Sequence, residues 1–180
     1  MKFFISVAFA AASLVSHSSV LAQKKYDEGA TDTSIKLGQT GPYSGPLSAG
    51  SMSQVTQKAY FAMLNESGGI NKRKIDLISL DDACMPPKDM RKTPKMVEQE
   101  KVMANLGSSC TGSVVAVSKY VGERKVPHLV IQGSSNVLHD AKATPETVPF
   151  IFAYSTEGEV FGRYLREKQP NGKIGVIFQN

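Results

Sequence analysis

The sequence predicts an α/β fold, a parallel sheet flanked by helices, on three observations. Short apolar runs with strand-like alternation take turns with longer runs at helical spacing. Glycine or proline punctuates most of the junctions. The loops that follow the strand-like runs are rich in Gly and hydroxyl residues. Strand-helix alternation of this kind builds a parallel sheet covered by helices.

Taken in order, Ser34-Ile35-Lys36-Leu37 reads as the first strand, with a Gly/Pro/Ser loop from Gly38 to Gly50 behind it. Val55, Ala59, Ala62 and Met63 recur at helical spacing, and Gly68-Gly69 stops that helix. Lys74 to Leu80 alternates as a strand and ends in Asp81-Asp82. Pro86 to Gln99 is expected to be a helix with a mostly polar surface, and Val102 to Leu106 a short strand. Val114, Val115, Val117 and Val121 mark a helix over Val114 to Glu123, and Pro127 to Ile131 is the next strand. After a long loop, Pro149 to Ala153 reads as extended, Glu157 to Lys168 as helical and Lys173 to Phe178 as a further strand.

The amino terminus predicts export. Lys2 gives a positive start, Phe3 to Val15 is almost unbroken apolar sequence, and Val20-Leu21-Ala22 places small or medium residues where a signal peptidase reads them. The apolar run, about 13 residues, falls short of the roughly 20 that a bilayer-spanning helix needs. Residues 1–22 are therefore expected to be a signal peptide cleaved after Ala22, leaving one domain-sized chain in the periplasm. The full chain has a formal net charge of +5, and its basic residues are scattered in pairs and triplets such as Lys72-Arg73-Lys74. None is interleaved with aromatics as a nucleic-acid platform requires, so no nucleic-acid partner is expected. Cys84 and Cys110 are the only cysteines; in an oxidising compartment they are either a disulfide pair or two separately buried thiols.

Loops leaving the carboxyl ends of parallel strands gather on one sheet edge, where such sheets bind ligands. Gly38 to Gly50, Gly107 to Ser113 and Gln132 to Asn136 should meet there. The second leads directly into a helix, whose unpaired amino-terminal N–H groups suit an anion. Thr111, Gly112 and Ser113 sit at that point; plain helix capping by the hydroxyls is the alternative. Gly133, Ser134 and Ser135 follow the next strand in the same way.

Enzyme signatures fail. Gly38-Gln-Thr-Gly41-Pro-Tyr-Ser-Gly45 has the wrong glycine spacing for a dinucleotide site, and Pro42 removes an N–H that phosphates would use. There is no P-loop, no G-x-S-x-G and no H-E-x-x-H. His128 and His139 show no metal-ligand pattern and read as packed or solvated, and Asp81-Asp82 reads as a strand end before a turn. No catalytic residues, cofactor or metal are expected.

Several stretches resemble the Leu/Ile/Val-type (type I) periplasmic solute-binding proteins, the receptors of ABC importers. Ile35 to Pro46, ending Thr-Gly-Pro-Tyr-Ser-Gly-Pro, is similar to the family's first strand and loop. Asn65-Glu-Ser-Gly-Gly-Ile-Asn71 is similar to its first helix end. Leu80-Asp-Asp-Ala-Cys-Met-Pro-Pro-Lys88 is the sharpest match, and Cys110 falls where disulfide-bearing members place the second cysteine. The resemblance runs from about Lys24 to Asn180. It implies a Cys84–Cys110 disulfide, a small-molecule ligand (a branched-chain amino acid or a similar small organic acid or amide) and an inner-membrane ABC permease as partner. A ligand-sensing regulatory domain of the same fold without transport is the alternative.

By position, the family's hydroxyl contact with the ligand head group falls on Thr111, its backbone-carbonyl contact on Gly133 and a second hydroxyl on Ser135. The aromatic that many relatives carry near Ala49 is missing here, leaving Tyr43 as the nearest replacement. The resemblance also divides the chain. Residues 23–152 form the amino-terminal ligand-binding lobe, the first crossing between lobes falls near Phe150 to Tyr154, and residues 153–180 begin a second lobe. That lobe is expected to be incomplete, without its acidic partner for a ligand ammonium and without its aromatic contact.

Overall fold

The computed structural model describes residues 26–177; the signal peptide expected over 1–22 lies outside them. A five-stranded sheet runs in the order β2-β1-β3-β4-β5, every neighbouring pair parallel. Its strands are β1 (Ser34–Gly41), β2 (Lys74–Asp81), β3 (Ala104–Leu106), β4 (His128–Ile131) and β5 (Thr147–Pro149). The helices are α1 (Met52–Glu66), α2 (Pro86–Pro94, continued by a π-helical turn over Lys95–Gln99), α3 (Thr111–Arg124) and α4 (Tyr154–Lys168). Strand order reverses between β1 and β3, so the crevice outside their carboxyl ends is the expected ligand position of such a sheet.

The valine pattern of α3 works as expected. Val114, Val117 and Val121, at i, i+3 and i+7, are buried. Val121 joins Met96, Val97, Val102 and Val126 in one apolar cluster, and Val114 joins Ile131 and Leu138 in another. The helix ends at Lys125, in the left-handed conformation with φ +53°. Gly69 is required as glycine where α1 turns towards β2, because at φ +76° a Cβ would stand 2.1 Å from the Arg73 carbonyl oxygen.

Two expectations need correction. The stripe Val55, Ala59, Ala62 and Met63 marks a helix but not its buried side: all four are exposed. The face turned to the sheet carries Gln54, Gln57, Phe61, Leu64 and Asn65 instead. The glycines explain this, because Gly41 and Gly107 leave room that the Gln54 and Gln57 side chains fill, and Gln54 donates to the Gly107 carbonyl at 2.7 Å. The helix expected over Pro86 to Gln99 forms, and its buried side includes two polar residues, Asp89 and Thr93. At the carboxyl end, only Pro149 of the run expected to be extended over Pro149 to Ala153 joins the sheet, as the last residue of β5, and Lys173 to Ile177 forms no strand; Phe178 lies outside the described residues. A strand is held by its ladder, and nothing among the described residues pairs with this segment, whose Ile174, Val176 and Ile177 are exposed.

Candidate functional site

The loops at the carboxyl edge of the sheet converge as the topology requires. Gly107 N–H donates to the Leu129 carbonyl at 2.9 Å and Gln132 N–H to the Ser108 carbonyl at 2.8 Å, so the loops after β3 and β4 are laced together. Thr40 and Ser108 add a buried hydroxyl pair at 3.1 Å, tying the end of β1 to the same edge. Cys84 and Cys110 form a disulfide with their Cα atoms 5.3 Å apart, which anchors the start of α3 to the turn after β2.

Thr111 is the first residue of α3, and the capping alternative does not describe it. The residue before the helix is Cys110, in extended conformation, and no side chain caps the helix. The Thr111 hydroxyl instead accepts from Ser134 N–H at 3.3 Å and lies 3.2 Å from the Tyr154 phenolic oxygen. Gly133 packs on the same point: a Cβ there would meet the Thr111 Cα at 3.6 Å and the Leu138 Cδ1 at 2.7 Å. Ser134 is buried and its carbonyl accepts from Tyr154 N–H at 2.8 Å. Ser135 is half-buried beside it, and Gly112 is exposed. Thr111, Gly133, Ser134 and Ser135 are thus brought together.

Tyr43 is not part of that group. Its hydroxyl accepts from Gln39 Nε2 at 3.0 Å and bonds to Ser79, on the β1–β2 side of the sheet. Tyr154 was missed as a site residue: the sequence placed it just after the extended run that leaves the sheet, with no local signal of its return to Thr111. It is the first residue of α4, whose next N–H, that of Ser155, donates to Asn136 Oδ1 at 3.4 Å. The amino terminus of α3, which no side chain caps, therefore opens beside Tyr154 with unpaired N–H groups and a partial positive charge, whereas the first N–H groups of α4 are taken by the Ser134 carbonyl, Asn136 Oδ1 and the Ala153 carbonyl. The start of α3 suits a carboxylate.

Beneath the loops lies a second group of polar residues. Asp81 accepts from Ser44 N–H at 3.1 Å and Ala83 N–H at 2.9 Å, and Asp82 from Cys84 N–H at 2.9 Å, as a strand end before a turn should. Burial pushes Asp81 up, but its hydrogen bonds from Ser44 and Ala83 and the nearby Lys88 charge outweigh that and hold it below the usual range. Burial raises Asp82. Among the described residues no cluster of His, Cys, Asp and Glu could hold a metal ion, and no helix is long and apolar enough to cross a membrane. His128 is packed rather than solvated, whereas His139 is exposed.

Residues 34–180 match the family model described as periplasmic binding protein. The chain is 28% identical over 145 residues to the amino acid binding protein of Pseudomonas aeruginosa, covering 79% of this chain and 38% of that one. Among solved structures it is similar to the branched-chain amino acid transporter substrate binding protein of Streptococcus pneumoniae in complex with isoleucine. That match has a TM-score of 0.68 and 25% identity, over 76% of this chain and 39% of the other. A solute binding protein of an R. palustris ABC transporter in complex with benzoate shares the fold, with a TM-score of 0.65 and 23% identity over 74% and 37% of the two chains. The chain thus spans about two-fifths of the length of these relatives.

Proposed function

We propose, because this chain belongs to the periplasmic binding protein family, that it supplies the carboxylate-gripping half-site of an extracytoplasmic solute receptor. The ligand class is a branched-chain amino acid or a similar small organic acid. The receptor would serve an inner-membrane ABC permease. The family consists of solute-binding proteins rather than enzymes.

One observation supports the ligand class: the amino terminus of α3, which no side chain caps, opens where Thr111 Oγ1 and the Tyr154 hydroxyl lie 3.2 Å apart. Helix amino termini favour anions, and hydroxyls beside them add charge-assisted hydrogen bonds. Isoleucine and benzoate, the ligands in the two similar structures, share a carboxylate and little else. A receptor built on that shared group grips the carboxylate here and leaves the rest of the ligand to other contacts. The signal peptide expected over 1–22 accords with an extracytoplasmic place, and a lobe boundary near residue 153 accords with α4 beginning at Tyr154.

Calorimetric titration of the purified protein with leucine, leucinamide and benzoate tests the reading. Leucine or benzoate should bind and leucinamide, which lacks the carboxylate, should not. Leucinamide binding as tightly as leucine would refute the carboxylate grip.

A further inference from the structure

The turn after β2 is held in a backbone conformation that its residues do not favour. Ala83 and Cys84, adjacent and neither of them glycine, both lie in the left-handed region, at φ +51° and +55°. Three hydrogen bonds oppose that bias. Ala83 N–H donates to Asp81 Oδ1 at 2.9 Å, Cys84 N–H to Asp82 Oδ1 at 2.9 Å and Met85 N–H to the Asp82 carbonyl at 2.9 Å. Asp81 reaches further. Its Oδ1 also accepts from Ser44 N–H at 3.1 Å and its Oδ2 from the Ser44 hydroxyl, so one carboxylate gathers the loop after β1 and the turn after β2. Asp82 N–H closes the same junction on the Gly41 carbonyl at 3.0 Å. The turn then passes covalently to the ligand site, because Cys84 is bonded to Cys110 and Cys110 directly precedes Thr111. The Cys110 carbonyl accepts the first bond of α3, from Val114 N–H at 2.9 Å, and Thr111 Oγ1 accepts from Ser134 N–H at 3.3 Å.

We propose that Asp81 is a positioning residue for the carboxylate grip: through the Ala83-Cys84 turn and the disulfide it sets where Cys110 and Thr111 stand. Every step of the path is a bond, from the carboxylate to Ala83 N–H, along the chain to Cys84, across the disulfide to Cys110 and on to Thr111. A carboxylate suits the post because it only accepts, and its two oxygens have room for all three donors. Bonds to an ionised acceptor are also about twice as strong as neutral ones. Without them Ala83 and Cys84 can relax out of the left-handed region, and the disulfide carries that shift to the start of α3. Asn keeps Oδ1 for both N–H groups and can donate from Nδ2 to the Ser44 hydroxyl, so it preserves the frame, whereas Ala keeps none of it. The ligand arm of the test rests on the receptor reading above; the exchange arm does not.

Amide hydrogen exchange in the unliganded full chain tests the path at Val114 and Ser134, whose N–H groups report on the Cys110 carbonyl and on Thr111 Oγ1. Val126 N–H, bonded to the Val121 carbonyl at 2.9 Å beyond the far end of α3, is the control. Asp81→Ala should speed exchange at Val114 and Ser134 about tenfold, the size of one net hydrogen bond, and leave Val126 unchanged. Asp81→Asn should bring both back to within about threefold of wild type. With Cys84 and Cys110 both replaced by serine, adding Asp81→Ala should change neither probe. Unmoved probes in Asp81→Ala, an equal rise at all three amides, or the same tenfold effect without the disulfide would overturn the proposal. Should Asp81→Ala fail to fold, Ser44→Ala removes one donor from the same carboxylate at an exposed position. It should speed Val114 and Ser134 over Val126, and no difference among them refutes the path. Leucine and benzoate affinity should fall about tenfold in Asp81→Ala and return in Asp81→Asn, and an unchanged affinity in Asp81→Ala also refutes it. No binding of either ligand by wild type would sink the receptor reading and leave the exchange result to judge Asp81.

Discussion

The Thr111 hydroxyl lies 3.2 Å from the phenolic oxygen of Tyr154, and the two residues open two different helices. The same Thr111 oxygen accepts from Ser134 N–H at 3.3 Å. It is therefore the point at which the loop after β4, α3 and α4 are joined. A hydrogen bond to a charged ligand group contributes about 1.5–3 kcal/mol, so Thr111→Ala should weaken carboxylate binding about ten- to a hundredfold. Tyr154→Phe removes a neutral partner and should cost less, about three- to tenfold. Calorimetry on both variants checks the order, and a larger loss for Tyr154→Phe would move the grip from α3 to α4.

Half of that relationship was legible in the sequence. Thr111 stands out because a Gly/hydroxyl loop runs into a valine-patterned helix. Tyr154 is 43 residues away, and no local pattern states that the chain returns to Thr111. The same limit governs α1. Spacing identifies the helix, but Val55 and Met63 point outward because Gly41 and Gly107 make room for Gln54 and Gln57. A face is chosen by the surface opposite, which periodicity does not contain. Lys173 to Ile177 alternates as a strand should, yet alternation specifies a face and not a neighbour. The buried His128 was legible only as one of two outcomes, since its burial depends on Asn105 and Thr147, which flank it in register on β3 and β5.

The disulfide should be a large part of the protein's stability. Cys84 and Cys110 are 26 positions apart, and closing a loop of that size restricts the unfolded chain by about 3.5 kcal/mol in the chain-entropy model. Replacing both cysteines with serine should lower the urea unfolding free energy by about that amount with the α/β circular-dichroism spectrum retained. A change within about 0.5 kcal/mol, the usual range of a surface substitution, would show that packing alone holds the turn to α3.

Asn65 closes the edge of the sheet. β2 is an edge strand, so the Ile75 N–H and carbonyl that face away from β1 have no ladder partner. The Asn65 amide takes both, accepting from Ile75 N–H at 2.7 Å and donating to the Ile75 carbonyl at 2.7 Å. Ile75 is only 5% exposed, so water cannot readily replace the lost bonds. Asn65→Ala should cost about 2–3 kcal/mol in chemical denaturation. Asn65→Asp, which keeps an acceptor but loses the donor, should fall between that variant and wild type.

His128 and Asp89 set opposite pH dependences over nearly the same window. Burial alone lowers His128 from 6.5 to about 4, and no polar atom satisfies either ring nitrogen. Between those values the unfolded chain binds the proton and the folded protein does not. The His128 term therefore favours folding fully above 6.5 and is lost as pH falls through about 4. Asp89 works the other way. Burial, with Asp82, raises it from 3.8 to about 7, so the folded protein holds a proton that the unfolded chain has released. Its term is complete below 3.8 and is lost as pH rises through about 7. Each proton corresponds to a slope of about 1.4 kcal/mol per pH unit, and the two slopes oppose each other between about pH 4 and 6.5. Stability of His128→Gln relative to wild type should therefore fall with rising pH across that window, and stability of Asp89→Asn relative to wild type should rise. The double variant should track wild type in slope. Urea unfolding at half-unit pH steps measures all three, and parallel curves for wild type and either single variant would mean that the corresponding side chain keeps the same protonation in both states.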